Sequence, residues 1–346
     1  MKNVEKELIL PTMEDVARHA KVSTATVSRC LNTPDQVIPK TRKRVFDAIS
    51  QLGYAPNFGA RALAAKQTNT IGAIIPTMEN AVFARGIQAF QEELGRHGKT
   101  LLIASSAYQA SLEDEQVRAL VARGAEALLL IGYDRDQQLY EFLQRRSIPT
   151  VITWSFIEAH DWLAVGFDNH EAMEKLANLV IDYGHRALAC ISAPTATNDR
   201  ARGRVEGIRS AMVAHGLDPN SLVLVERPYG IENGEDAFRH LIARSPNTTA
   251  VLCGNDVLAL GALREAVRMG LDVPRDISIT GFDDIEVAML AEPALTTVHV
   301  PHREMGHCAA RVLIQMLNKE TTLQSVLLPT EIRLRQSLGK PLLCRN

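Results

Sequence analysis

One short helical pattern near the start of the chain presents Thr24, Ala25, Thr26, Ser28 and Arg29 on a single face. Small side chains let a helix backbone approach closely, hydroxyls meet phosphates and a guanidinium can fork onto a guanine edge, so this set suits the DNA major groove. A helical hairpin whose polar face is merely solvated would carry the same residues. A second set lies far downstream: Arg204 opens a helical pattern, Asn255-Asp256 follows one apolar run, and Asp283 follows another. Carboxylates accept hydroxyls and arginine donates several hydrogen bonds, so such a set selects hydroxyl-rich or anionic small molecules. Helix caps plus a surface arginine give the same string. His299, His302 and His307 lie within nine residues, but no Cys or carboxylate completes a metal-ligand spacing, and no metal site is expected. No Gly-rich phosphate loop, nucleophile elbow or acid/base carboxylate pair is present, which argues against an enzyme and against a cofactor.

The first set needs a compact helical module to hold it. Thr12 caps a first helix with Met13, Val16 and Ala17 on its apolar side, and Ser23 or Thr24 caps the second, with Val27 and Leu31 facing inward. A third helix runs from Pro39 to Gly53, with Val45, Ala48, Ile49 and Leu52 on its apolar side. Residues 11–67 hold nine Lys or Arg against four Asp or Glu, a net of +5, whereas the whole chain carries −2, leaving −7 elsewhere. A basic module is joined to an acidic body, which is the electrostatic footprint of nucleic-acid binding confined to one end. Residues 58–67 are Ala-rich and helix-prone but fall below the roughly 12 to 15 residues an isolated helix needs, so they require a partner to fold.

The body reads as α/β. Apolar runs at 71–76, 100–104, 127–131, 151–154, 187–191, 250–253 and 277–280 alternate with amphipathic stretches at 81–97, 113–123, 137–145, 171–183, 203–215, 235–244 and 257–269. Such alternation predicts parallel sheets covered on both faces, and the break at Phe167-Asp168-Asn169 divides them into two lobes. At 346 residues and 46% hydrophobic content the chain can bury several cores. The opening Met1-Lys2-Asn3-Val4-Glu5-Lys6-Glu7 is of mixed charge and does not read as a secretory signal. No stretch reaches the roughly 20 apolar residues of a membrane span. Five scattered cysteines, Cys30, Cys190, Cys253, Cys308 and Cys344, read as reduced thiols, so the expected location is cytoplasmic.

Several strings taken together resemble the lac repressor/galactose repressor family of bacterial transcription regulators. They are Met13-Glu14-Asp15-Val16-Ala17, Val22-Ser23 to Leu31-Asn32, Leu52-Gly53-Tyr54-Ala55-Pro56-Asn57, Ala60-Arg61-Ala62-Leu63, Thr68-Asn69-Thr70-Ile71-Gly72, Gly254-Asn255-Asp256 and Gly281-Phe282-Asp283-Asp284. The resemblance implies a helix-turn-helix DNA-binding domain over 11–57, a hinge helix and linker over 58–69, and a two-lobed periplasmic-binding-protein-like effector and dimerisation domain over 70–338. One lobe would take about 70–168 and 298–324 and the other about 169–297 and 325–338, the chain crossing near 168, 297 and 324. It places DNA contacts at Thr12, Ser23, Thr24, Ala25, Thr26, Ser28, Arg29, Asn32, Thr41, Tyr54, Asn57, Ala60 and Leu63, the leucine as a minor-groove wedge. It places effector contacts in the interlobe cleft at Arg204, Asn255, Asp256 and Asp283, while Phe83, Trp154, Phe167 and Tyr229 are candidate aromatic faces for a sugar ring, each also open to a core role.

Trp154 departs from the family, many of whose members carry an acidic residue there. Asn80-Ala81-Val82-Phe83-Ala84 and Ala164-Val165-Gly166-Phe167-Asp168-Asn169 are similar to the gluconate-repressor branch, which suggests a sugar acid. The implied protein is a repressor of a carbohydrate or sugar-acid operon that binds a pseudo-palindromic operator as a homodimer; a sugar-binding protein without a DNA role is the alternative. The short stretch after Leu334 shows no leucine heptad, which favours a dimer over a coiled-coil tetramer.

Overall fold

The computed structural model of the protein describes residues 10–55, 67–79, 81–158 and 160–342. Two compact units divide the chain, 1–68 and 69–346. In the first, α1 (Met13–His19), α2 (Thr24–Asn32) and α3 (Pro39–Leu52) close around Val16, Ala17, Ala20, Val27, Cys30, Val45 and Ala48. Each helix end has a local cause. Thr12 and Asp15 form a reciprocal capping box, the Asp15 amide donating to Thr12 Oγ1 at 3.3 Å and the Thr12 amide to Asp15 Oδ2 at 2.9 Å. Of the two residues expected to cap α2, Ser23 does so, its Oγ accepting from the Thr26 amide at 3.2 Å. Pro39 starts α3, and Gly53 ends it in the left-handed conformation at φ +61°.

The second unit contains two six-stranded sheets. In chain order its elements are β1 (Thr70–Ile75), α4 (Ala81–Arg96), β2 (Thr100–Ser105), α5 (Ala110–Ala122), β3 (Ala127–Ile131), α6 (Gln137–Arg145), β4 (Thr150–Thr153) and β5 (Ala164–Gly166). They continue with α7 (Asn169–Asp182), β6 (Leu188–Ser192), α8 (Asp199–Ala214), β7 (Val223–Glu226), α9 (Ile231–Arg244), β8 (Ala250–Cys253), α10 (Asp256–Arg268) and β9 (Ser278–Asp283). Last come α11 (Glu286–Leu290), β10 (Thr296–His299), α12 (His302–Leu317), β11 (Val326–Leu327) and β12 (Glu331–Arg333). The first sheet is ordered β11-β5-β4-β3-β1-β2 and is parallel throughout; the second is β12-β10-β9-β8-β6-β7, with only β12 antiparallel. The inner strands β1, β3, β8 and β9 are wholly buried, as expected of parallel strands with helices on both faces.

Five strands escape the apolar-run pattern because they are short, polar or at an edge: β5, β7, β10, β11 and β12. Two of them move the passages between sheets. Thr296–His299 pairs with β9, so the chain stays in the second sheet past 297 and leaves it at Val300-Pro301 before α12 packs on α4 and the first sheet. Val326–Leu327 pairs with β5, so the last passage falls after 327 rather than near 324. The first passage lies between Gly166 and Asn169, where Asp168 caps α7 by accepting from the His170 and Glu171 amides. Among the described residues, no helix is long and apolar enough to cross a membrane.

Candidate functional site

On α2, Thr24, Ala25 and Arg29 are exposed, and Thr26 and Ser28 are half-buried. The Arg29 guanidinium makes no hydrogen bond or ion pair among the described residues, unlike that of Arg18, which pairs with Asp15, and that of Arg42, which pairs with Asp35. Two of the hydroxyls are engaged within the helix: Thr26 bonds the capping Ser23 at 2.9 Å, and Ser28 accepts from the Asn32 amide nitrogen at 3.2 Å. A free guanidinium on a face of small residues is thus the most available donor here. Thr12 is exposed at its cap, while Thr41 and Tyr54 are half-buried. Asn57, Ala60 and Leu63, with the whole segment 56–66, lie outside the described residues.

In the second unit, the ends of strands and starts of helices from both lobes converge on a small cavity. Phe83 comes from α4, Trp154 from the end of β4, Arg200 and Arg204 from α8, Asn255 from the cap of α10, and Asp283 from the end of β9. Tyr108 and Tyr229 face each other across it with ring centroids 5.7 Å apart. Of the residues singled out in the sequence, Phe83, Trp154, Arg204, Tyr229, Asn255 and Asp283 line this space.

Arg204 is held from three sides. Its Nε donates to Asn169 Oδ1 at 2.9 Å, its Nη1 donates to the Gly254 carbonyl, and its guanidinium lies 3.8 Å from the Phe282 ring centroid. Its Nη2 stands 3.9 Å from Asp283 Oδ1, beyond hydrogen-bond reach. Asp283 is 1% exposed, its Oδ1 has no hydrogen-bond partner, and its backbone sits at φ +104°. Burial pushes its carboxyl up to about 7, although Arg204 and Arg200 pull the other way. A carboxyl poised near neutrality can accept a hydroxyl when ionised or donate to one when protonated.

Two of the expected effector residues do not line this cavity. Asp256 is fully buried, but its carboxylate accepts from Thr297 Oγ1 and, at 2.8 Å, from the Ile285 amide, which ties α10 to the second sheet instead of facing the cavity. Burial raises its carboxyl well above the usual range. Phe167 is a core residue at 0% exposure, its ring 5.9 Å from that of Phe282. Conversely, Arg200 was missed. Asn198 caps α8 by accepting from the Ala201 amide at 3.3 Å, so the helix begins at Asp199, four residues earlier than its apolar pattern suggests. Arg200 and Arg204 then share one face at i, i+4 spacing. Asn198-Asp199, a cap residue followed by an acid, was the available signal. Arg204 accordingly sits in the second turn of its helix and does not open it.

The cleft is closed. Asp199 Oδ2 accepts from the Tyr133 amide at 2.9 Å, Arg202 donates to Asp134 at 2.7 Å, and Arg85 pairs with Glu286, all between lobes. Gly132 sits at φ +69°, and a Cβ there would overlap the Arg200 guanidinium. The three histidines go to separate partners: His299 to Asp284 at 2.9 Å, His302 to the Asp283 carbonyl at 3.2 Å, and His307 beside Glu92 and Glu93. Among the described residues, no group of three His, Cys, Asp or Glu is placed to hold a metal ion.

Comparison with known proteins decides the family. Residues 12–57 match the model of bacterial regulatory proteins of the lacI family, and residues 177–338 match a periplasmic binding protein-like domain. The chain is 32% identical over 327 residues to catabolite control protein A of Priestia megaterium, covering 94% of this chain and 98% of that protein. The chain belongs to the lacI family. This lacI-family protein is also 32% identical to the HTH-type transcriptional regulator GntR of Pseudomonas aeruginosa, covering 94% of this chain and 95% of the relative. Its fold superposes on the lac repressor dimer bound to operator and the anti-inducer ONPF with a TM-score of 0.83 at 25% identity, covering 95% of this chain and 99% of that one. The protein is a DNA-binding transcriptional regulator and not an enzyme; the rival reading of a sugar-binding protein without a DNA role is not favoured.

Proposed function

We propose that this regulator binds a pseudo-palindromic operator as a homodimer in the cytoplasm, with α2 in the major groove, and represses a carbohydrate or sugar-acid operon. Residues 11–57 carry the DNA contacts, 58–69 act as the hinge with Leu63 as its wedge, and 70–338 bind the effector. A small hydroxyl-rich or anionic metabolite enters the Arg204–Asp283 cavity and changes the affinity for DNA. The carrying observation is that cavity: two buried arginines and Asp283, whose buried Oδ1 has no hydrogen-bond partner, all from the second-sheet lobe, faced by Phe83, Tyr108 and Trp154 of the first, in a cleft held shut by cross-lobe bonds. A ligand that bridges the lobes changes their equilibrium by its differential affinity for the closed form.

A thermal-shift screen against sugars, sugar acids and their phosphates, followed by fluorescence anisotropy on DNA upstream of the gene, tests the reading. Arg204→Ala is expected to keep DNA binding and lose the ligand response. Equal ligand affinity in wild type and variant would place the effector elsewhere.

A further inference from the structure

Resting on the reading of this cavity as the effector site, we propose that Trp154 selects the effector's charge. Its indole N–H, with the Arg200 guanidinium, receives a carboxylate, so the site takes an aldonate or uronate in preference to the neutral sugar.

The polar groups on the cavity wall that still lack partners are mostly donors. Arg204 Nε and Nη1 are already engaged by Asn169 and the Gly254 carbonyl. Asn255 Oδ1 accepts from the Leu258 amide at 2.9 Å, leaving only the donating end of that amide. Arg200 gives one nitrogen to Asp199 at 3.0 Å and keeps further N–H groups. Trp154 Nε1 is buried and has no partner at all. Against these donors stands one partnerless acceptor, Asp283 Oδ1, with the tyrosine hydroxyls able to serve either way. The hydroxyls that a neutral sugar and its acid share can meet Asp283 and the tyrosines in either molecule, but only a carboxylate offers the free donors charge-assisted hydrogen bonds. A carboxylate only accepts, so it matches the excess of donors, while one hydroxyl of the same molecule satisfies Asp283.

Trp154 cannot turn away to find another partner. Its backbone is in the left-handed region at φ +58°, and its carbonyl accepts from Asn169 Nδ2 at 3.0 Å. The far edge of its indole rests against Gly86 so closely that a Cβ there would come within 2.7 Å of Trp154 Cζ2. Phe83 meets it edge-on at 5.2 Å. Behind it His302, 6.0 Å away centroid to centroid, is held neutral by burial and adds no charge that would compete for the anion. A buried donor fixed without a partner is costly unless a ligand completes it.

The test uses the full-length protein and Trp154→Phe, which keeps a ring and removes the donor. Calorimetry is run with D-gluconate, D-galactonate, D-glucuronate and D-galacturonate, each beside its neutral aldose. In wild type one acid is expected to bind at least about 10-fold tighter than its neutral parent, and in Trp154→Phe that margin shrinks about 10-fold while the neutral sugar is unchanged. In ¹⁵N-indole-labelled protein, with Trp162→Phe used to assign the two signals, the Trp154 N–H proton moves downfield with the acid and not with the aldose. Equal loss for acid and aldose, no change in either, or no acid binding to wild type would each overturn the inference. If the acid binds but Arg204→Ala binds it equally well, the effector-site reading fails. If Arg204→Ala abolishes binding and Trp154→Phe does not, only the role of Trp154 fails.

Discussion

Replacing Asp283 by Asn should make the effector-binding unit more stable, and increasingly so as the pH rises. The side chain is 1% exposed, and its carboxyl is raised from 3.8 to about 7 by burial that Arg204 and Arg200 only partly offset. A raised acid binds its proton more tightly in the folded state than in the unfolded one, so between these values the folded protein carries the extra proton. Stability is therefore lost as the pH climbs from about 4 to about 7 and is constant beyond. At about 1.4 kcal/mol per pH unit the full loss is about 4 kcal/mol. Asn is close in shape to the protonated acid and does not titrate. Urea unfolding followed by tryptophan fluorescence, which reports only on this unit through Trp154 and Trp162, should show the variant's advantage widening by about 3 kcal/mol between pH 5 and pH 8. A constant difference, or a wild type that gains on the variant as the pH rises, would mean that the arginines outweigh burial, and the account of this carboxyl would be wrong.

In the DNA-binding unit, Thr12→Ala removes the capping box and should cost about 1 kcal/mol of that unit's stability, read from far-UV melting. Arg29→Ala should lower specific DNA affinity by about 1 to 3 kcal/mol and blur preference at one base position; selections from randomised DNA that return the wild-type preference would exclude Arg29 from base contact. Gly132→Ala should drive Arg200 off the opposite lobe, weakening ligand binding and shifting small-angle scattering toward an open cleft, whereas wild-type affinity would show that the contact does not govern closure.

How much of this was legible in the sequence follows from how local each determinant is. The capping residues and the apolar stripes of α1 to α3 lie within a few positions of one another, so the helical module is read almost residue by residue. Strands β1, β3 and β8 are runs buried on both faces and stand out for the same reason. By contrast, β10 is Thr-Thr-Val-His, and β11 and β12 are two and three residues long; their strand character comes from partners far away in the chain. The cavity divides along the same line. Arg204 and Asp283, singled out beside recognisable elements, both line the cavity, whereas Arg200 escapes the sequence reading because one cap residue, Asn198, adds a turn ahead of the apolar pattern. Asp256 and Phe167 occupy suitable places in the chain, but which way a side chain turns at an element's end is settled by what it meets there: Thr297 and the Ile285 amide for one, Phe282 for the other.

The C-terminal stretch works as a clasp on both lobes. After α12 the chain lays β11 on the edge of the first sheet and β12 on the edge of the second, and Ser337 then accepts from the Thr296 amide at 2.9 Å and donates to the Ile279 carbonyl. A premature stop ahead of Val326 would strip an edge strand from each sheet at once, baring β5 and β10 as templates for pairing with other chains. Such truncated products should accumulate as aggregates rather than as a regulator that has merely lost its ligand response. The same threading makes each lobe discontinuous in the chain, so neither can be transplanted as one segment. A chimera that exchanges ligand specificity between relatives has to carry the whole body, cut at the junction of Thr68 and Asn69.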